Sequence, residues 1–292
     1  MNSTPHSSLP PEILDHIFTL IGADSAALTA CSQVNAAFSK LAERHLYAHI
    51  DVYTRKQPQK YSLSITPSHL AQLLQKSPHI ANYIRSSTVI VSNSNAAIQL
   101  LFKWASRRND ENEEILGSLF PQLSRLHTVK LTQGAGGTLP WTDLHHQLRS
   151  AFIQHLQSSS ITELHLYGIN DFPLLDLTCC PSLKRLKFAH IYRVHYAGAE
   201  DVNDTHPTTL LDTLSIYRCV SGIPDIINWA KSPPSSSIIS GLLSLNFRIM
   251  THAHMEYVAD ALKGCCKTLK FLEFDCGENC GSLVLLLVLP IS

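Results

Sequence analysis

The glycine-rich segment Gly134–Thr138 is the first stretch of this sequence whose residue types suit chemistry. Backbone N–H groups of such loops cradle phosphates, but a nucleotide-binding loop of this kind continues with Lys and then Ser or Thr. Here the chain continues with Leu139 and Pro140. We therefore interpret the segment as a turn and predict no phosphate loop.

The sequence contains 16 histidines and 8 cysteines, the residue types that most often bind zinc. His145 and His146 are adjacent, so on a helix their side chains diverge by about 100° and do not share one ion. Cys276 and Cys280 have the spacing of half a zinc site, with Cys265–Cys266 nearby in sequence. Zinc sites normally show two well-spaced pairs. We interpret these cysteines as small buried hydrophobic residues and predict no metal site.

Other patterns typical of enzymes do not occur in the sequence. Neither the HExxH motif of zinc peptidases nor the GxSxG turn of serine hydrolases is present. No spacing of a Cys and a His, or of two carboxylates, indicates that they share one catalytic site. We therefore predict no catalytic residue, no cofactor and no enzymatic activity.

Composition and charge indicate a folded intracellular protein. Of the 292 residues, 45% are hydrophobic and 16% are charged, and the zero formal net charge argues against a nucleic-acid surface. The N-terminus lacks an apolar signal core and the cysteines are irregularly spaced, so we expect a cytoplasmic location, a nuclear one, or both. The apolar run Leu283–Leu289 is far shorter than the roughly 20 residues that span a bilayer.

The elements that would position a binding site begin with three short helices at the N-terminus. The prolines at residues 10–11 suit the first turn of a helix, Gly22 ends it, and Asp24 and Asn35 suit the caps of two further helices. Helices of this length bury little surface, so we expect following residues or a partner to complete them. Apolar side chains recur at helical spacing at Ile13, Leu14, Ile17, Phe18, Leu20, Ile21, Leu28, Cys31, Val34, Phe38, Leu41, Ala42 and Leu46.

This stretch resembles an F-box, whose members open with LPxE, continue with an apolar helix and close with a Val…Trp…Leu pattern. The matching positions are Leu9, Pro10, Pro11, Glu12, Ile13, Leu14, Ile17, Phe18, Val34, Phe38 and Leu41, with Phe38 where the family usually has tryptophan. The resemblance implies a Skp-type adaptor as a partner. It implies adaptor contacts through Leu9, Pro10, Ile13, Leu14, Ile17, Leu28, Val34 and Phe38. The alternative is a helical cap that only seals the rest of the chain.

The next sixty residues mix helical and strand patterns. A polar connector at residues 53–62 precedes a helix at residues 66–77, which opens with a Thr-Pro cap. Residues 87–91 are a β-branched run, which is typical of a strand. Helical spacing returns at residues 96–108, and we predict that the acidic segment 109–114 is a solvated loop.

From residue 126 onward one motif, L-x-x-L-x-L with aliphatic or aromatic variants, recurs six times. Successive motifs begin 35, 22, 28, 31 and 27 residues apart, near the roughly 20–29 residues of a leucine-rich repeat. Helical spacing occupies two of the intervals, at residues 141–157 and 252–263. The six motifs are Leu126–Leu131, Ile161–Leu166, Leu183–Phe188, Leu211–Ile216, Leu242–Phe247 and Leu269–Phe274.

These motifs resemble leucine-rich repeats over about half of the chain, or about two-thirds of it if Ser87–Val91 is a degenerate first strand. The resemblance implies an α/β fold, a curved solenoid with parallel strands on the concave face and helices outside. We expect an F-box at residues 1–52, a connector at 53–62 and a divergent leucine-rich-repeat-like domain at 63–292. Residues between the buried positions of each strand should point outward and form one surface.

Basic and tyrosine side chains collect at these outward positions. Because Arg pairs bidentately with carboxylate and phosphate, the surface suits an acidic or phosphorylated peptide. The alternative is that these are ordinary solvated strand residues. The predicted target-binding residues are Lys130, His165, Tyr167, Arg185, Lys187, Tyr217 and Arg248.

The two resemblances together imply a substrate-recognition subunit of a cullin–RING (SCF-type) ubiquitin ligase. The F-box would bind the Skp-type adaptor and, through it, the cullin, while the repeat domain would bind an unknown target protein. Catalysis would belong to other subunits, and this chain would contribute proximity. The alternative is a non-catalytic leucine-rich-repeat scaffold whose head is only a structural cap. We expect neither nucleic acid nor a membrane as a partner.

Overall fold

The computed structural model describes most of the chain as a small helical head followed by a large sheet with helices on one face. The predicted connector beyond residue 54, the first part of the helix predicted at residues 96–108 and the segment 195–209 lie outside the described residues. The described residues are 9–22, 24–54, 64–91, 103–134, 137–158, 160–194, 210–219, 221–231, 238–249, 255–265, 267–276 and 283–288.

The head consists of three helices: α1 (Pro11–Ile21), α2 (Ser25–Ser32) and α3 (Ala36–Leu46). Gly22 ends α1 with a φ of 64°, a left-handed conformation that glycine adopts without strain. The Asp24 carboxylate accepts hydrogen bonds from two backbone N–H groups of α2. The Asn35 side chain caps α3 in the same way. The three predicted helices and these two caps are therefore confirmed.

Phe18 lies at the centre of a very small head core. Its ring meets Phe38 edge-on, with centroids 5.7 Å apart, and lies nearly parallel to His45 at 5.9 Å. Leu28 and Ala42 complete the fully buried set. Few buried side chains stabilise the head from within, as its length predicts.

In the described part of the chain twelve strands follow α3: β1 (His49–Tyr53), β2 (Ser64–Ile65), β3 (Ser86–Val91), β4 (Thr128–Gln133), β5 (Leu139–Pro140), β6 (Glu163–Tyr167), β7 (Ile169–Asn170), β8 (Arg185–Ala189), β9 (Thr213–Tyr217), β10 (Ser244–Ile249), β11 (Phe271–Cys276) and β12 (Leu283–Val288). Ten of them form one sheet in the order β12-β11-β10-β9-β8-β6-β4-β3-β1-β2, and β5 pairs separately with β7. Nine of the ten strands run parallel. The predicted boundary after residue 52 falls inside β1, which belongs to this sheet.

The six predicted motifs coincide with six neighbouring strands. The second and third apolar positions of the motifs form two continuous buried rows across these strands. No member of either row is more than 7% exposed. In β3 the two rows continue through Ser87 and Val89, and in β1 through Ile50 and Val52. The rows are Val129, Leu164, Leu186, Leu214, Leu245 and Leu272, and Leu131, Leu166, Phe188, Ile216, Phe247 and Phe274.

A repeated backbone hydrogen-bond pattern marks the start of each strand. The carbonyl just before a strand accepts from two consecutive N–H groups of the next strand in the sheet, at 2.8–3.1 Å. This arrangement recurs seven times, from the Ala48 carbonyl before β1 to the Leu243 carbonyl before β10. The strands β1 and β3 therefore follow the same structural repeat as the six strands whose sequence motif is recognisable.

Among the described residues, five further helices pack with the buried rows in one core: α4 (Pro67–Lys76), α5 (Lys103–Leu119), α6 (His146–Ser158), α7 (Ile223–Lys231) and α8 (Met255–Cys265). The predicted helix at residues 66–77 is confirmed, and the Thr66 hydroxyl caps it by accepting from the His69 N–H at 3.3 Å. Helices α6 and α8 lie where the helical spacing at residues 141–157 and 252–263 predicted them.

The prediction that residues 109–114 form a loop is wrong, because they lie inside α5. Polar side chains of this segment have tertiary partners that the sequence does not reveal. Glu113 is 7% exposed, and its carboxylate accepts from the His145 N–H at 2.7 Å. Asn112 donates to the Thr54 carbonyl, also at 2.7 Å. These contacts stabilise a helix where the sequence alone predicts a solvated loop.

The last strand departs from the predicted parallel arrangement. The apolar run near the C-terminus does form a strand, β12, but it pairs antiparallel with β11. Only residues 277–282 separate the two strands, which is too short for the crossover of a dozen or more residues that parallel pairing requires. The prediction of parallel strands is therefore wrong at this edge.

Candidate functional site

Exposed apolar side chains along α1 form the first candidate site. Ile13, Ile17 and Leu20 recur at intervals of four and three residues, so they share one helix face, and Leu9 lies just before the helix. We call these four residues the head stripe. Their exposed fractions are 53% for Leu9, 48% for Ile13, 39% for Ile17 and 73% for Leu20. Such apolar patches usually mark an interaction surface.

The structure separates the eight predicted adaptor contacts into surface and core residues. Leu14 and Phe38 are half-buried, and Phe38 packs on the head core. Leu28 is 1% exposed, so it stabilises the head from within and offers no contact surface. The residues that face solvent are Leu9, Pro10, Ile13, Ile17 and Val34.

The second candidate site is the outward face of the sheet, which consists of the strand residues that alternate with the buried rows. Ala189 and Ser215, which we expected to point outward, are only 6% and 7% exposed. Both side chains are small, and Ser215 accepts a hydrogen bond from Asn246 at 3.0 Å. Strand register aligns the predicted target-binding residues in adjacent rows: Lys130, His165 and Lys187 in one, and Tyr167, Tyr217 and Arg248 in the next.

Glu163 neutralises part of the predicted basic surface. It lies 2.7 Å from His165 Nε2 and 3.2 Å from Arg185 Nη2, and accepts from the Thr128 hydroxyl at 3.3 Å. Burial alone would raise the pKa of Glu163, but these three neighbours lower it overall. Burial lowers the pKa of His165 despite Glu163, so at neutral pH their contact is a hydrogen bond from a neutral imidazole. Arg185 is then the ionic partner of Glu163.

Other cations collect at the C-terminal ends of β8, β9 and β10. Lys187 Nζ lies 4.7 Å from the centre of the Tyr217 ring, a cation–π distance. Arg248 Nε lies 2.9 Å from a carboxylate oxygen of Asp275. Within the part of the chain that the structure describes, neither Lys187 nor Arg218 pairs with a carboxylate.

The residues that follow β6, β8 and β9 share a left-handed backbone conformation. They are Gly168, His190 and Arg218, with φ of 67°, 53° and 52°. Glycine is required at the first position, because a Cβ there would lie 2.9 Å from the Gly137 carbonyl oxygen. Left-handed non-glycine residues are strained by roughly 1–3 kcal/mol, and such strain clusters at functional sites.

His190 and Arg218 border a cavity of about 230 Å³ that also contains Lys187, Arg248 and two tyrosines. The rings of Tyr167 and His190 are in contact, with centroids 4.7 Å apart. Burial and then the charge of Arg218 lower the pKa of His190, so this imidazole is neutral at physiological pH. We call this cavity the basic pocket. A larger, more open depression of about 410 Å³ lies along α6.

The basic pocket brings together four of the seven predicted target-binding residues: Tyr167, Lys187, Tyr217 and Arg248. Lys130, His165 and Arg185 lie elsewhere on the outward face. Sequence reasoning missed His190 and Arg218, which stand two residues after the last apolar position of their motifs. The glycine at the equivalent place after β6 was the available signal, since it marks a left-handed turn.

The described residues hold no group of three or more His, Cys, Asp or Glu side chains arranged for a metal ion. The rings of His145 and His146 do lie close, with centroids 4.5 Å apart. Cys266 and Cys280, members of the half zinc site considered above, lie outside the described residues. The centre of the glycine-rich loop, residues 135–136, also lies outside them.

No helix within the described ranges is long and apolar enough to cross a membrane. Comparison with known proteins adds no further constraint: no protein-family model and no curated protein sequence matches this chain.

Proposed function

We propose that this protein is the substrate-recognition subunit of a cullin–RING ubiquitin ligase, with the head as an F-box that binds a Skp-type adaptor. The head stripe is the observation that carries the proposal. Its side chains lie on the outer face of α1, whereas Phe18 on the inner face completes the head core. Burial of such side chains contributes about 25 cal/mol per Å² of apolar surface, so a partner that covers the stripe gains substantial binding energy.

The second part of the proposal is that the sheet is a leucine-rich-repeat-like domain that binds the target protein on its outward face. Support comes from the two buried rows, which recur with the sequence motif, and from the hydrogen-bond pattern that repeats at each strand start. Stacked repeats of this kind leave one continuous face to bind partners. The tyrosines and cations of that face suit an acidic target.

A structural cap is the alternative role for the head, and one observation favours it. Tyr47, just after α3, packs against the core of the sheet, and His79 Nε2 lies 3.4 Å from Glu43. These contacts join the end of α3 to the sheet. They involve none of the four stripe residues, however, and a cap needs no exposed apolar face.

Co-purification with a Skp-type adaptor tests the proposal. We expect the wild-type chain to bind the adaptor, and a variant with Ile13→Asp and Ile17→Asp to bind it at least about 100-fold more weakly, because each aspartate would be buried without a partner. Both side chains are exposed in the free chain, so the variant should fold normally. Lys40→Asp, which places an aspartate on the exposed surface of α3, is the matched control and should leave binding unchanged.

Two outcomes would contradict the proposal. One is a folded wild-type chain, verified by circular dichroism, that binds no adaptor. The other is equal adaptor binding by the wild-type and Ile13→Asp/Ile17→Asp chains. Loss of the overall fold in the double variant would instead identify the stripe as part of a structural cap.

A further inference from the structure

We propose that the basic pocket binds the phosphate group of a phosphate monoester. The proposal names the acidic group that the outward face of the sheet would bind, so it rests on the target-binding part of the function proposed above. It does not depend on the head binding an adaptor. Its basis is the charge, the size and the strained backbone of the pocket.

The charge of the pocket matches a dianion better than a single carboxylate. Lys187, Arg218 and Arg248 supply three positive charges, and Asp275 offsets one of them through its 2.9 Å contact with Arg248. Two positive charges remain, and a phosphate monoester carries a charge of about −1.5 to −2 at neutral pH. A carboxylate would neutralise only one of them. Glu273 does not line the pocket. It stands in the same row as Lys187, three strands away, and its charge acts on Tyr217 at the edge of the pocket.

The donors of the pocket are of the kinds that bind phosphate. Lys187 is held over the Tyr217 ring, which fixes its ammonium at one wall. Burial, followed by the charges of Glu273 and Asp275, raises the pKa of Tyr217, so its hydroxyl keeps its proton. At about 230 Å³ the cavity is smaller than the roughly 300–1,000 Å³ of sites for drug-sized ligands. It therefore suits a phosphate group with a short or aromatic stem.

Two residues that line the pocket have a strained backbone. His190 and Arg218 both have left-handed φ values, at places where the equivalent residue after β6 is glycine. Asparagine or glycine would occupy these positions with less strain. The two strained residues therefore place the His190 imidazole and the Arg218 guanidinium at the rim of the cavity.

Titration of the full-length chain with phenyl phosphate, inorganic phosphate and benzoate, followed by calorimetry at constant ionic strength, tests the proposal. We expect saturable binding of phenyl phosphate, with benzoate at least about tenfold weaker because it has the same ring but one negative charge. We expect inorganic phosphate to bind more weakly than phenyl phosphate. Tighter binding of inorganic phosphate would overturn the monoester assignment, and equal affinity for benzoate would overturn the assignment to phosphate.

Variants locate the binding in the pocket. Lys187→Gln and Arg218→Asn should each weaken phenyl phosphate binding by about tenfold or more, since each removes a positive charge that would bind the phosphate. Asparagine tolerates the left-handed backbone, so Arg218→Asn should not destabilise the chain. Arg218→Lys should retain most of the affinity.

Lys130→Gln is the matched control, because it removes one charge from the outward face outside the pocket. It should change the affinity by less than about twofold at constant ionic strength. A loss as large as that of Lys187→Gln would mean that binding reflects the general charge of the face, and it would overturn the proposal. Absence of saturable binding in a chain with wild-type circular dichroism would overturn it as well. Adaptor binding, measured separately, reports on the head alone.

Discussion

The head and the sheet are both rich in apolar side chains, yet they bury them to very different extents. In the sheet, every residue of the two central rows is at most 7% exposed. In the head, Phe18, Leu28 and Ala42 are buried, while the four residues of the stripe remain 39–73% exposed. The same hydrophobic effect acts on both regions, so the difference lies in what is available to cover each surface.

Each strand of the sheet is covered by its neighbours and by helices of the same chain. Three short helices lack comparable neighbours, because their surface is large relative to their volume. The comparison teaches that an apolar residue supplies stability only where the fold brings a second surface to it.

Truncation of one core residue of the sheet should have the largest effect. Phe188 is 0% exposed in a central row, so Phe188→Ala should lower the free energy of unfolding by about 3–5 kcal/mol through lost burial and a cavity. Leu20→Ala removes a comparable apolar group from the head stripe and should change it by less than about 0.5 kcal/mol. Urea unfolding measures both. Similar losses would contradict the contrast between the two regions.

Two left-handed glycines should respond differently to an added methyl group. In Gly168→Ala the new Cβ would lie 2.9 Å from the Gly137 carbonyl oxygen, so we expect roughly 2–3 kcal/mol of destabilisation from strain and steric overlap. In Gly22→Ala the nearest atom would be 3.8 Å away, so no steric overlap adds to the strain of the backbone and the loss should be smaller than at Gly168. Thermal unfolding compares them, and a larger loss at Gly22 would refute this account.

Removal of one helix cap from each region tests whether head and sheet unfold together. Asn35→Ala removes the cap of α3, and Thr66→Ala removes the cap of α4; each should cost about 1 kcal/mol. Amide hydrogen exchange should show that Asn35→Ala weakens protection in the head while the sheet keeps its own. Loss of protection in both regions would show that they form one cooperative unit.

The smallest effect at neutral pH concerns His155, which is 7% exposed and packs near Phe120 with ring centroids 5.5 Å apart. Burial lowers the pKa of His155 in the folded state. The unfolded chain therefore binds more protons below about pH 6.5, and the folded state loses stability as the pH falls from there toward the lowered pKa.

His155→Leu should reduce this loss of stability, measured by urea unfolding at a series of pH values. Part of the dependence should persist, because burial also lowers the pKa of His165 and of His190. Phe120→Leu changes the packing at the same place and leaves the imidazole present, so it should lower stability at every pH and keep the wild-type slope. Equal slopes for wild type and His155→Leu would contradict the prediction.

The local sequence by itself determined the strands that carry the apolar motif and the helices that begin at a capping residue. The six L-x-x-L-x-L motifs all form strands, and the helices capped by Asp24, Asn35 and Thr66 begin where those residues predict. A strand with two buried apolar positions and a helix with a capping side chain carry their own signals, which are independent of distant contacts.

Tertiary structure decided the rest, because the relevant partners are far apart in sequence. Ser87 lies in a row of apolar side chains because β3 pairs between β1 and β4. A serine at this place does not match the apolar motif, so the sequence did not show that β3 belongs to the row. Residues 109–114 are helical because Glu113 meets the start of α6. Lys187, Arg218 and Arg248 form one pocket because strand register aligns β8, β9 and β10. Sequence spacing predicted which side chains point outward; only the register of the folded sheet decided which of them meet.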